Sequence, residues 1–189
     1  MTGVVFITSD TLRADHLGCY GADRVATPNL DDFASDAAVF ESNYAASYPT
    51  IPNRLDVWTG RYNFLHRGWT SVDLDEPTLP GRLTDHGVVT ELIYDTPFLG
   101  TFNFDRDFSG WERIRGHHSD RWRTDPDAPA DLPAAPYKLK HLGKVEQYLR
   151  NRADWRHERE FIAPRTFSAA IDWLERNRTH DDFCLFVDA

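Results

Sequence analysis

Cysteine is scarce: Cys19 and Cys184 are the only two, far apart and at no metal-ligand spacing. That excludes a disulfide-framed secreted fold and a thiolate metal knuckle, and reads as two reduced, buried thiols. No uninterrupted apolar run approaches the roughly 20 residues that a bilayer-spanning helix needs. The opening residues carry no basic segment, long apolar stretch and small-residue cleavage site in series, so no secretory leader is read there. Positive charge is in deficit, with 21 Lys and Arg against 30 Asp and Glu for a formal net charge of -9. Binding that relies on broad attraction to nucleic-acid phosphates or anionic lipid is thereby excluded. The expectation is a cytoplasmic protein with no nucleic-acid or membrane partner. An acidic chain that takes an anionic substrate must gather positive charge locally, through a metal or a few arginines.

Hydrophobic residues make up 41% of 189, enough for one α/β domain with a real core. The run Gly3-Val4-Val5-Phe6-Ile7-Thr8 is continuous, apolar and β-branched, the pattern of a strand buried on both faces. Ser9, Asp10 and Thr11 follow at its C-terminal end, where open α/β sheets bind ligands. Thr27 as cap and Pro28 in the first turn predict a helix whose stripe is Leu30, Phe33, Ala34 and Ala37. Residues 38–45 alternate and are predicted as a strand. Further helices are predicted from Thr50 or Ile51 to Gly60 and over 79–86, closed by Gly87. Residues 88–94 form a strand ending in Asp95 and Thr96. From about 98 to 140 aromatics, Gly, Asp and Arg mix without period, which reads as an irregular, partly ordered excursion within the one domain. Helices follow near 145–154 and 164–177, then a buried strand over 183–187. That last strand shows no polar cluster at its end like those of the earlier ones.

Two short stretches carry chemistry. In Thr50-Ile51-Pro52-Asn53-Arg54 the hydroxyl sits at the positive end of a helix, where a transferring anionic group is favoured. Arg54 in the first turn can fold back toward the same spot, and a guanidinium suits an anionic oxygen pair. Read alone, the pentapeptide is equally an ordinary Thr cap with a surface Arg. Asp10, at a strand tip, is read alone as a metal ligand, a cap or a solvated loop acid.

Their conjunction carries a resemblance. The segment Ile7-Thr8-Ser9-Asp10-Thr11-Leu12-Arg13-Ala14-Asp15-His16-Leu17-Gly18-Cys19-Tyr20-Gly21 resembles the opening of sulfatase-family enzymes. Thr27-Pro28-Asn29-Leu30-Asp31, Val39-Phe40, Tyr44-Ala45-Ala46-Ser47, Thr50 to Arg54 and Thr59-Gly60 match in order and spacing. The resemblance implies the alkaline phosphatase-like fold, a mixed, mostly parallel sheet flanked by helices. It implies that residues 1–189 are the N-terminal portion of a single catalytic domain, incomplete at the C-terminus. By position, Asp10 becomes a metal ligand, Thr50 a metal-bound nucleophile, and Arg54 the group that neutralises the nucleophile and the ester oxygens. Asn53, Tyr94 and Thr96 become candidate substrate contacts. The implied cofactor is a divalent ion, manganese, zinc or calcium, and the substrate a small-molecule sulfate or phosphate ester.

Thr50 departs from the Cys or Ser that sulfatases convert to formylglycine. It resembles instead the threonine nucleophile of nucleotide pyrophosphatase/phosphodiesterase-like relatives. Phosphoester or phosphodiester cleavage is therefore preferred. The alternatives are a sulfuric ester hydrolase acting without formylglycine and a catalytically silent fragment keeping the fold. Thr11 stands where many sulfatases place a second Asp. Asp10 and Thr50 alone under-coordinate a hard cation, which wants about six oxygens. The remaining ligands are expected beyond Ala189. His117 and His118, being adjacent, are expected to point apart and form no joint site, and Trp111, Trp122 and Trp155 are read as packing residues.

Overall fold

The computed structural model describes residues 2–189. Four strands form one sheet in the order β1-β4-β2-β3, with β1 Thr2–Thr8, β2 Val89–Tyr94, β3 Gly110–Arg113 and β4 Asp182–Asp188. Every pairing is parallel, so all strand C-terminal ends lie along one edge. The helices are α1 Pro28–Ser35, α2 Thr50–Thr59, α3 Leu79–Asp85, α4 Phe98–Thr101, α5 Leu142–Asn151 and α6 Ile162–Arg176.

The central strands are largely apolar because successive side chains feed two different cores. Leu92, Tyr94, Cys184 and Phe186 face Ile51, Leu55 and Trp58 of α2. Ile93, Leu185 and Val187 face Ala170 and Trp173 of α6. The contact residues recur at i, i+4 and i+7 on α2 and at i and i+3 on α6, each the spacing of one helical face. α2 ends at Gly60, whose φ of 67° lets its N–H reach the Asp56 carbonyl at 2.8 Å, a left-handed cap that favours glycine.

Several expectations are corrected. The first strand is not buried on both faces: β1 is an edge strand, and Ile7 is 53% exposed. It pairs with β4, and among the described residues no strand lies on its other side. Residues 38–45 form no strand; alternation without a neighbouring ladder does not make one, and Phe40 and Tyr44 are exposed. The excursion over 98–140 holds α4 and β3 as its ordered parts. Thr27 does not cap α1 with its side chain: its hydroxyl accepts from the Gly18 N–H at 2.9 Å and donates to Asp31 at 3.0 Å. Of the two thiols, Cys184 is buried and Cys19 half-buried. Trp111 is also more exposed than a packing residue, at 55%. No helix among the described residues is long and apolar enough to cross a membrane.

Candidate active site

The parallel ladder continues past the strand ends and brings three carboxylates together. The Asp10 N–H donates to the Ala189 carbonyl at 2.7 Å, and the Ala189 N–H to the Thr8 carbonyl at 3.0 Å. One strand further, the Asp95 N–H donates to the Asp188 carbonyl at 3.0 Å. Asp10, Asp188 and Asp95 thus cap neighbouring strands.

Arg54, the fifth residue of α2, reaches this row. Its Nε donates to Asp188 at 2.6 Å, its Nη2 to Asp10 at 3.3 Å and its Nη1 to the Asn53 side chain at 3.1 Å. The side chains of Arg54 and Asp188 are 5% and 2% exposed, so this is a buried ion pair. A guanidinium has five N–H groups, and three are engaged, leaving two for an incoming oxygen. Thr96 donates its hydroxyl to the other Asp188 oxygen at 2.8 Å. Burial pushes the Asp188 carboxyl up, against the pull of Arg54 and Thr96. Asp95 is pushed up to about 6 by burial; the Thr166 hydroxyl opposes this, while Asp188 and Asp10 add to it.

Asp10, Thr50, Asn53 and Arg54 line one cleft of about 810 Å³ at the sheet edge. The helix begins differently from the sequence expectation: Pro49 is the N-cap and Thr50 the first helical residue. The Thr50 hydroxyl still lies at the positive helix end. Ser47, in the same cleft, is 4% exposed, and its hydroxyl has no hydrogen-bond partner. Thr11 also lines it, with φ at 63°, a region that a β-branched residue rarely adopts.

Two predicted contacts sit elsewhere. Thr96 lies behind Asp188 and outside the cleft lining. Tyr94 is 1% exposed within the α2-side core, its hydroxyl 3.3 Å from Asp105. Sequence reasoning missed Asp188, although it follows the last apolar run as directly as Asp10 and Asp95 follow theirs. The absence of a polar cluster beyond that strand is accordingly corrected.

The cleft donors are oxygens, which suits a hard divalent cation in kind. They are few: among the described residues no group of three or more His, Cys, Asp and Glu is placed to hold a metal. Ser47, among the cleft-lining residues, adds a buried hydroxyl without a partner among the described residues.

The sulfatase family matches residues 2–187. The chain belongs to the sulfatase family. N-acetylglucosamine-6-O-sulfatase of Bacteroides thetaiotaomicron is 26% identical over 131 residues, 66% of this chain and 22% of the relative. Sulfatase YidJ of Escherichia coli is 25% identical over 193 residues, 97% of this chain and 36% of the relative. The fold is similar to phosphonate monoester hydrolase of Agrobacterium radiobacter, with a TM-score of 0.68 at 21% identity, covering 98% of this chain and 40% of the other. A solved structure from the Bacteroides thetaiotaomicron glycosaminoglycan-metabolism locus gives 0.65 at 18%, covering 99% and 50%. The chain therefore spans a fraction of each: 22% and 36% of these curated relatives, 40% and 50% of these structures.

Proposed function

We propose that this sulfatase-family chain carries the nucleophile-bearing part of a metal-dependent hydrolase of phosphate or sulfate esters, with phosphoester or phosphodiester cleavage preferred. The observation behind this reading is that Thr50 and Asp10 line one cleft together with Arg54, which bonds Asp10. Asp10 and Thr50 would hold the divalent ion, which when bound supplies a Lewis acid that lowers the pKa of a hydroxyl.

Within the chain, the start of α2 aims positive charge at the reacting oxygen. Thr50 Oγ loses its proton to solvent and bonds to phosphorus. The bond from phosphorus to the leaving oxygen breaks, and that oxygen departs with the electron pair and takes up a proton. Water then cleaves the phosphothreonine and restores the hydroxyl. Arg54 offers its two unengaged N–H groups to the ester's anionic oxygens and holds Asp10 in place. Asn53 orients Arg54 through its side-chain oxygen.

Sulfate esters are the second reading, favoured by the sulfatase names of the relatives. Threonine gives no formylglycine, so such an enzyme would act without it. Aryl phosphate, bis-aryl phosphate and aryl sulfate, assayed with manganese, zinc or calcium, separate the two by which aryl alcohol is released. Thr50→Ala should abolish release. Hydrolysis by Thr50→Ala at the wild-type rate would refute both readings. A fold-keeping silent fragment would show no metal uptake and no effect of Asp10→Ala beyond stability.

A further inference from the structure

The cleft does not absorb a second built feature of the sheet edge. Beyond β3 the Ile114 N–H still donates to the Tyr94 carbonyl at 2.7 Å, so the chain leaves the sheet on the edge that carries Asp95. It then makes a tightly held loop. Arg115 grips Asp120 through Nε at 3.0 Å and Nη2 at 2.6 Å, and Gly116 turns with φ at 125°. The buried Asn151 of α5 donates to the carbonyls of Gly116, His117 and Asp120 at 3.2, 3.0 and 2.7 Å. Contrary to the sequence expectation, the His117 and His118 rings do not diverge: their centroids are 3.9 Å apart.

These rings form one wall of an open cavity of about 530 Å³. Lys144 and His141 form another, and Val145, Tyr148 and Ile162 supply apolar surface. His141 holds a left-handed backbone, φ 62° and ψ 46°, just before α5. A left-handed φ is uncommon for a non-glycine residue. Burial pushes His117 down to about 4, and His118 is also lowered, so both rings are neutral at pH 7. Lys144 brings an ammonium to the wall beside this aromatic and aliphatic surface.

We infer that this cavity is a second ligand site, taking an anion with a flat apolar body: an aryl sulfonate, sulfate, phosphate or carboxylate. The paired imidazoles and Tyr148 offer faces for the ring, and Lys144 the counter-charge. The site does not depend on ester hydrolysis at Thr50.

Naphthalene-2-sulfonate is the probe, titrated into the chain while the histidine ring protons are followed by NMR, with 2-naphthol and inorganic sulfate as comparators. His117→Asn and His118→Asn assign the signals. Saturable shifts of both rings are expected, with the sulfonate bound about fivefold tighter than the naphthol, the ratio a partly exposed ion pair supplies. Lys144→Gln, a surface change, should erase that preference. Val145→Glu should abolish binding of both aromatics. Thr50→Ala should change nothing, which separates this site from the proposed catalytic reading. Equal binding of sulfonate and naphthol, sulfate binding as tightly as the sulfonate, or shifts confined to other histidines would overturn the inference.

Discussion

Removing the Asp188 carboxylate tests how the site is held together. The wild-type side chain is 2% exposed, bonded to Arg54 at 2.6 Å and to Thr96 at 2.8 Å. Asp188→Ala leaves a guanidinium that is itself 5% exposed with Asp10 as its remaining charge partner, at a looser 3.3 Å, beside the neutral Asn53 oxygen. Breaking one partner of a buried pair typically costs about 3–5 kcal/mol, because the surviving charge stays buried without compensation. Asp188→Asn keeps the shape and an acceptor, and loses only charge assistance, about 1.5–3 kcal/mol. Burial opposes the Asp188 charge, and the desolvation of a buried pair offsets much of its attraction. Replacing both partners, Arg54→Met with Asp188→Leu, should therefore destabilise less than Asp188→Ala alone. Urea unfolding reads this directly. With an m-value of about 2 kcal/mol/M, Asp188→Ala lowers the midpoint by roughly 2 M at unchanged slope. A midpoint within error of wild type, or a double variant as unstable as the sum of the singles, would refute the reasoning.

Asp95 gives a pH signature in chelator-treated protein. Its folded pKa is raised, to about 6. The folded state therefore holds its proton more tightly than the unfolded chain, and stability falls as pH rises from about 4 to 6, by roughly 3 kcal/mol at most. Asp95→Asn should remove that slope in denaturation curves between pH 4 and 7, and an unchanged slope would contradict the assignment. Ser47→Ala should raise the melting temperature, since it deletes a buried hydroxyl whose lack of a partner costs about 1–3 kcal/mol, while weakening binding of inorganic phosphate or manganese in calorimetry. Thr11→Asn should stabilise by about 1 kcal/mol in thermal melts, because Asn tolerates the left-handed φ of 63° better than a β-branched residue. Asp10→Asn should weaken manganese uptake about tenfold or more by titration calorimetry with little change in melting temperature, its side chain being 27% exposed.

The exposed apolar side of β1 belongs with these expectations. Val4, Val5 and Ile7 lie open on an edge strand, and Phe33 and Phe40 are 73% and 71% exposed. Edges of this kind pair with other chains. Sedimentation of the isolated chain should show self-association that Val5→Lys reduces.

The elements with strong local signals were legible before any coordinates. α2, α3 and β2 begin and end within about a residue of expectation, because Gly60 and Gly87 stop the helices and the β-branched run after Gly87 can only be a strand. Asp10, Thr50 and Arg54 were legible as a set because their spacing matches a family pattern. What failed were statements about partners. A strand over 38–45 needs a ladder, burial of β1 needs a second neighbour, and divergence of His117 and His118 assumes a regular backbone that the loop after β3 lacks.

By itself, then, the chain determines where helices and strands start, which strand ends are acidic, and that a hydroxyl and a guanidinium stand at a helix tip. These follow from local propensity, capping and period. Only the tertiary structure decided that β4 threads between β1 and β2, and with it that Asp188 lands between Asp10 and Asp95 under Arg54. Strand order is set by the packing of α2 and α6 on opposite faces of the sheet, a long-range balance that no short window of sequence encodes.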